Sequence, residues 1–105
     1  MVRGTTPTFS LTVPETVDLT AAANIYVTFA TMDNQNIVTK TGDDLEVTEH
    51  QVDVFLSQEE TLLFAVGKIK LQINWTYNDA GTVKRACTDL AVISVKPNLL
   101  GEVIS

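Results

Sequence analysis

Between Ile69 and Tyr77 five apolar side chains, Ile69, Leu71, Ile73, Trp75 and Tyr77, recur at strict intervals of two, with Lys70, Gln72, Asn74 and Thr76 between them. Successive side chains of an extended chain point to opposite faces, whereas a helix needs apolar residues three and four apart, so this run fits a strand with one dry and one wet face. Such a strand must lie in a sheet, and the dry face of the sheet must meet a second layer. Shorter runs repeat the pattern. Phe9, Leu11 and Val13 alternate with Thr8, Ser10 and Thr12 before Pro14, which has no amide to give to a ladder; Ile25, Val27 and Phe29 alternate in the same way. The Asx-rich cluster Asp33–Asn36 leads into Ile37-Val38-Thr39, so a hairpin over residues 25 to 40 is expected. Gly42-Asp43-Asp44 is the next turn, Leu45 to Thr48 a short strand, and Gln51 to Leu56 a strand with Val52, Val54 and Leu56 on one face. After the long strand, Asn78-Asp79-Ala80-Gly81 turns the chain, Gly81 tolerating positive φ, and Val83 to Val95 returns antiparallel beside it.

About seven strands with turn signals every ~8 to 12 residues predict an immunoglobulin-like antiparallel β-sandwich. Helix is nearly absent from this reading. Asp18 to Ala23 is weakly helical at best, and one short helical turn is expected after Ser57, because Ser57-Gln58-Glu59-Glu60 has the spacing of a capping box. The predicted core comprises Phe9, Leu11, Ile25, Val27, Phe29, Val52, Val54, Leu56, Ile69, Leu71, Ile73 and Trp75. A chain of 105 residues makes one domain over 1–105, with an apolar tail at 97–105 beyond the break at Pro97, and it buries roughly two thirds of its unfolded surface without a staple.

With 7 Lys+Arg against 13 Asp+Glu the net charge is −6, which sets nucleic acid and anionic membrane surfaces aside as partners. The single cysteine, Cys87, closes no disulfide within the chain, and one Cys with one His assembles none of the paired zinc spacings. Neither a signal peptide nor a stretch approaching the ~18 apolar residues of a membrane span is visible, so synthesis and folding in a cytoplasm are expected.

Catalytic chemistry finds little support. The only histidine, His50, lies in a polar, turn-like context and reads as a solvated loop residue, with no Gly-x-Ser-x-Gly elbow elsewhere. Cys87 reads as a small buried thiol, Arg85 being the one cation placed to share its strand face. Asp43, Asp44, Glu46 and Glu49 crowd one turn without the register of a calcium loop, and read as a solvated acidic turn. Glu59 and Glu60 point apart as neighbours, and the scattered glycines form no phosphate loop. No cofactor, no metal and no enzymatic activity are expected. Trp75 and Tyr77, with Tyr26 and Phe29, are the candidates for a sugar or peptide platform, although aromatics at strand spacing are more often core.

Three segments carry a family resemblance: Arg3-Gly4-Thr5-Thr6-Pro7-Thr8-Phe9, Thr39-Lys40-Thr41-Gly42-Asp43-Asp44-Leu45, and Leu56-Ser57-Gln58-Glu59-Glu60-Thr61-Leu62 followed by Gln72. In that order, and over nearly the whole chain, they resemble small prophage proteins of Gram-positive bacteria that are similar to the N-terminal immunoglobulin-like domain of phage baseplate upper proteins. The resemblance implies a non-catalytic virion component of the tail or baseplate, partnered by other tail or baseplate proteins or by copies of itself. It brings no catalytic residues. The competing expectation is an immunoglobulin-like module that binds carbohydrate or peptide through an aromatic-bearing sheet face. For assembly the candidate contacts are the extended N-terminal segment with Arg3, Thr5 and Thr6, the outward Phe55, and the tail residues Leu99, Leu100, Val103 and Ile104. The N-terminal segment is expected to dock on its own domain.

Overall fold

The alternation at Ile69–Tyr77 lies within the longest strand of the computed structural model, which describes residues 1–104. The strands are β1 (Thr8–Thr12), β2 (Asn24–Thr31), β3 (Ile37–Thr41), β4 (Leu45–Val47), β5 (Gln51–Phe55), β6 (Gly67–Asp79), β7 (Thr82–Cys87) and β8 (Ala91–Val95), with the helix α1 (Gln58–Leu62) between β5 and β6. They form an antiparallel β-sandwich. One sheet has the order β1-β5-β4, and the other the order β3-β2-β6-β7 with β8 also on β6. The chain crosses between layers after β1, after β3 and, through α1, after β5, which is the strand distribution of an immunoglobulin-like sandwich without an outer first strand in the smaller sheet.

The dry face of β6 behaves as its alternation demands, with Ile69, Leu71, Ile73 and Trp75 buried against Val27, Phe29, Val52, Val54 and Leu56. Tyr77 is 37% exposed, because β6 outruns its neighbours there: Thr76 is its last residue paired with β2, and Tyr77 onward pairs only with β7. Phe9, Leu11 and Ile25 are half-buried rather than central, Phe9 and Leu11 because β1 is an edge strand. Phe9 still packs its ring 5.5 Å from that of Phe29. The two open ends of the sandwich are plugged from connections. Leu19, in a short 3-10 turn capped by the Asp18 carboxylate, closes one end, and Phe64, just after α1, closes the other.

The return strand expected over Val83 to Val95 is two strands on one edge of β6. Asn74 pairs with Cys87 and Leu71 with Ala91, so three steps on β6 face four on its partner, and the extra residue makes a bulge at Thr88–Leu90. Thr88 holds the break, its amide donating to Ile73 O and its Oγ1 accepting from Ile73 N. The bulge reverses which residues face inward. Ala86 points to the core from β7, while Ile93 and Val95 do so from β8. Cys87, on the outward side of β7, is exposed rather than buried, which corrects the sequence expectation.

Candidate functional site

One pole of the sandwich is organised around α1. Ser57 ends the extended backbone and caps the helix as its sequence predicts: Ser57 Oγ accepts from Glu60 N at 3.2 Å, and Glu60 Oε1 accepts from Ser57 N at 2.9 Å. The same carboxylate oxygen takes the Lys40 ammonium of β3 at 2.7 Å. Burial pushes the Glu60 carboxyl up, but Lys40 and the Ser57 amide outweigh it and leave the pKa below its ordinary value.

A helix of this length leaves its last carbonyls without intrahelical partners. Arg3 supplies them. Its Nε donates to Phe64 O at 2.7 Å and its Nη2 to Leu62 O at 2.9 Å. Thr61, fully buried, anchors the following residues, since its Oγ1 accepts from Gly4 N and donates to Thr5 O, both at 2.9 Å. Gly4 has φ +78°, a conformation that side chains disfavour, and a Cβ there would meet Leu62 Cδ2 at 3.4 Å. Upstream, Val2 bridges Lys96 in parallel, with Arg3 N donating to Lys96 O and Lys96 N donating to Met1 O. The N-terminal segment therefore lies on its own domain. The Thr5 side chain donates to Val2 O at 2.6 Å, and Thr6 is exposed.

The three segments that carry the resemblance meet at this pole. Arg3 to Thr5 and Leu62 to Phe64 are joined by the Arg3 and Thr61 bonds, and Lys40 joins the third segment through Glu60. The tail arrives at the same place. Asn98 Nδ2 donates to Arg3 O, and the Gln58 amide holds Ile104 by a matched pair, Nε2 to Ile104 O at 2.7 Å and Ile104 N to Oε1 at 2.9 Å. The tail's apolar side chains stay open: Leu99 is fully exposed and Ile104 is 61% exposed, with Leu100 and Val103 about half exposed. Leu63 and Val66 beside α1 are as open, and alternation could not flag them because they lie in a connection. Asn36 Nδ2 donates to Leu63 O and ties the β2–β3 turn to this pole.

Phe55, 49% exposed, stands elsewhere, in a shallow depression of about 450 Å³ on the outer face of the smaller sheet with Asp44, Glu46 and Asp53. Hydrogen bonds from Gln51 and Ser10 hold the Asp53 carboxyl below its ordinary range. Of the aromatic candidates Phe29, Trp75 and Tyr77 take the inward side of the larger sheet, Trp75 and Tyr77 lining one depression of about 370 Å³, and Tyr26 takes the outer side. Trp75 and Phe29 are buried; Tyr26 pairs with Asn74 on the outer side of the larger sheet, while Tyr77 follows the inward side of Trp75. A depression of about 430 Å³ near Tyr26 includes Thr28, Asn74 and Arg85, with Arg85 Nε and Nη2 both donating to Asn74 Oδ1. His50 Nδ1 lies 2.7 Å from Val17 O, and its Nε2 is 3.7 Å from Glu49. Among the described residues no group of three His, Cys, Asp or Glu side chains is arranged to hold a metal ion. No helix among them is long and apolar enough to cross a membrane.

Comparison of the chain with known protein families, with curated proteins and with solved structures yields no match.

Proposed function

We propose that this chain is a non-catalytic structural component of a phage or prophage tail or baseplate, acting through contacts with neighbouring proteins in the virion. One observation carries the reading. The segments that resemble baseplate proteins, far apart in sequence, converge on the α1 pole, where polar groups fix the backbone and leave apolar side chains outward. Leu63, Val66, Leu99, Leu100, Val103 and Ile104 are the contact surface in this reading. Leu99, fully exposed, would contribute about 1.5–3 kcal/mol if buried by a neighbour and each of the others, already about half covered, about half of that, before the entropy of association is subtracted. The alternative, a carbohydrate or peptide module, has little aromatic surface to offer, since Trp75 is 8% exposed in the depression it shares with Tyr77, and Tyr26 lies on the opposite side of the sheet. Sequencing the genomic neighbourhood tests the proposal. Flanking genes for tail proteins are expected, and a setting without phage genes would overturn it.

A further inference from the structure

The two outer faces of the sandwich carry opposite charge. On the larger sheet the strand residues facing outward include Lys68, Lys70 and Arg85 and not one Asp or Glu, although the chain holds 13 acids. Asp33 and Asp89 lie in turns at its rim. On the smaller sheet the outward strand residues include Glu46 and Asp53 and no Lys or Arg, and Asp43 and Asp44 extend that acidic surface from the β3–β4 turn. Lys40, at its edge, is already engaged by Glu60. Glu46 and Asp53 are moreover direct cross-strand partners, and like charges so placed cost a sheet stability unless something of opposite sign lies over them.

We infer that copies of this chain stack head to tail, the acidic three-stranded face of one copy lying on the cationic five-stranded face of the next. The inference rests on the assembly reading above and names a second copy as one partner. Phe55, the last residue of β5 and 49% exposed, is the apolar anchor at one end of the acidic face. The contact is heterologous, so it propagates as a ring or a filament and does not close as a two-fold dimer. Its size predicts its strength. Three strands about 4.8 Å apart and five residues of about 3.4 Å each give a patch of roughly 240 Å², well short of the ~800 Å² per partner of a stable interface. Stacking is therefore weak, and free molecules show it only at high protein concentration.

The test uses the full chain at high protein concentration in sedimentation equilibrium, at about 0.1 M salt, where a screening length of ~10 Å confines the net −6 repulsion between copies and leaves close pairs in place, and at about 1 M, where it falls to ~3 Å. The expected weight-average mass exceeds the 11.5 kDa of the monomer at low salt and returns to it at high salt. Two charge-reversed variants sharpen the result, Lys68→Glu with Arg85→Glu and Asp44→Lys with Glu46→Lys; all four side chains are exposed, and circular dichroism verifies each fold. The first variant has two acidic faces, and the second, with Asp43 and Asp53 retained, has a neutralised smaller face, so each alone is expected to be monomeric. Their equimolar mixture is expected to associate at low salt, its weight-average mass rising above that of either variant alone. A wild-type chain that stays monomeric at low salt, or a mixture that does not associate, overturns the stacking. Association insensitive to salt also overturns it, and moves the contact to the apolar pole. None of these outcomes touches the virion reading, which the genomic neighbourhood tests separately.

Discussion

Replacing Thr61 with Val removes a hydroxyl and keeps the shape, at a position where two backbone groups of a distant segment depend on that hydroxyl. The Gly4 amide loses its acceptor and the Thr5 carbonyl its donor, two bonds of 2.9 Å spanning more than 50 residues of chain. A hydrogen bond of this kind contributes about 0.5–1.5 kcal/mol net, so the pair is worth about 1–3 kcal/mol. The new methyl in a fully buried site returns about 0.8 kcal/mol. The net loss is then about 1 kcal/mol, with about 2 as an upper figure, or roughly 4–8 °C in the melting midpoint of a domain this small for each kcal/mol. Thr61→Ser keeps the hydroxyl and separates the bonding from the packing. Amide hydrogen exchange gives the local readout: protection at Gly4 should collapse in the valine variant while Val27 and Ile73 keep theirs. Arg3→Met, combined with Thr61→Val, should cost less than the sum of the two, because both release the same segment. A midpoint unchanged by Thr61→Val, with Gly4 still protected, would refute the claim that this hydroxyl pins the N-terminus.

Leu71→Ala opens a cavity beneath the long strand and should cost about 2–5 kcal/mol, read as a lowered denaturation midpoint at constant m-value. Glu60, Asp18, Asp33 and Asp53 all have folded pKa values below their ordinary ones, so their contribution is complete above the unfolded carboxylate range of about 3.9–4.3 and is lost as pH falls through the lower folded values. Thermal melts should be flat from about pH 7 to 5 and decline below about 4, and Lys40→Met should flatten the part of that decline due to Glu60. Ala80, at φ +51° beside Gly81 at φ +85°, occupies a two-residue hairpin turn that favours Asn-Gly, so Ala80→Asn should raise stability by up to about 1 kcal/mol in chemical denaturation. Deleting residues 98 to 105 should leave the salt-dependent association in place by light scattering and lower only the melting temperature, because the tail is tied at the α1 pole; loss of that association would put the tail in the contact between copies.

Residues whose partners are set by local period were legible in the sequence. β6 declared itself because alternation over five apolar positions has only one regular conformation, and α1 because a capping box is closed by residues three apart. The Val83–Val95 segment was legible only in part, since a bulge adds one residue and reverses facing without leaving a signature in composition. Leu19 and Phe64 are core residues without a period: each stands in a connection, and its burial follows from where the sandwich happens to be open. Arg3 reads from the sequence only as part of an extended polar segment, because its carbonyl partners lie about 60 residues away and belong to a helix end that any cation can satisfy. Opposed charge on the two faces became visible only once register assigned each charged residue to a side.

The parallel pairing of Val2 with Lys96 has a mechanical consequence. Tension pulling the chain outward at its two ends draws these neighbouring strands past one another in opposite senses, so the bonds from Met1 N to Ser94 O, Lys96 N to Met1 O and Arg3 N to Lys96 O lie across the direction of pull. They share the load instead of opening one after another like a hairpin unzipped from its end. Behind them the Arg3 guanidinium, hooked onto two carbonyls of the α1 pole, and the Asn98 amide form a second catch. Stretched between two attachment points, the domain would yield abruptly and at high force, with its hydrophobic interior still closed until the clasp gives way.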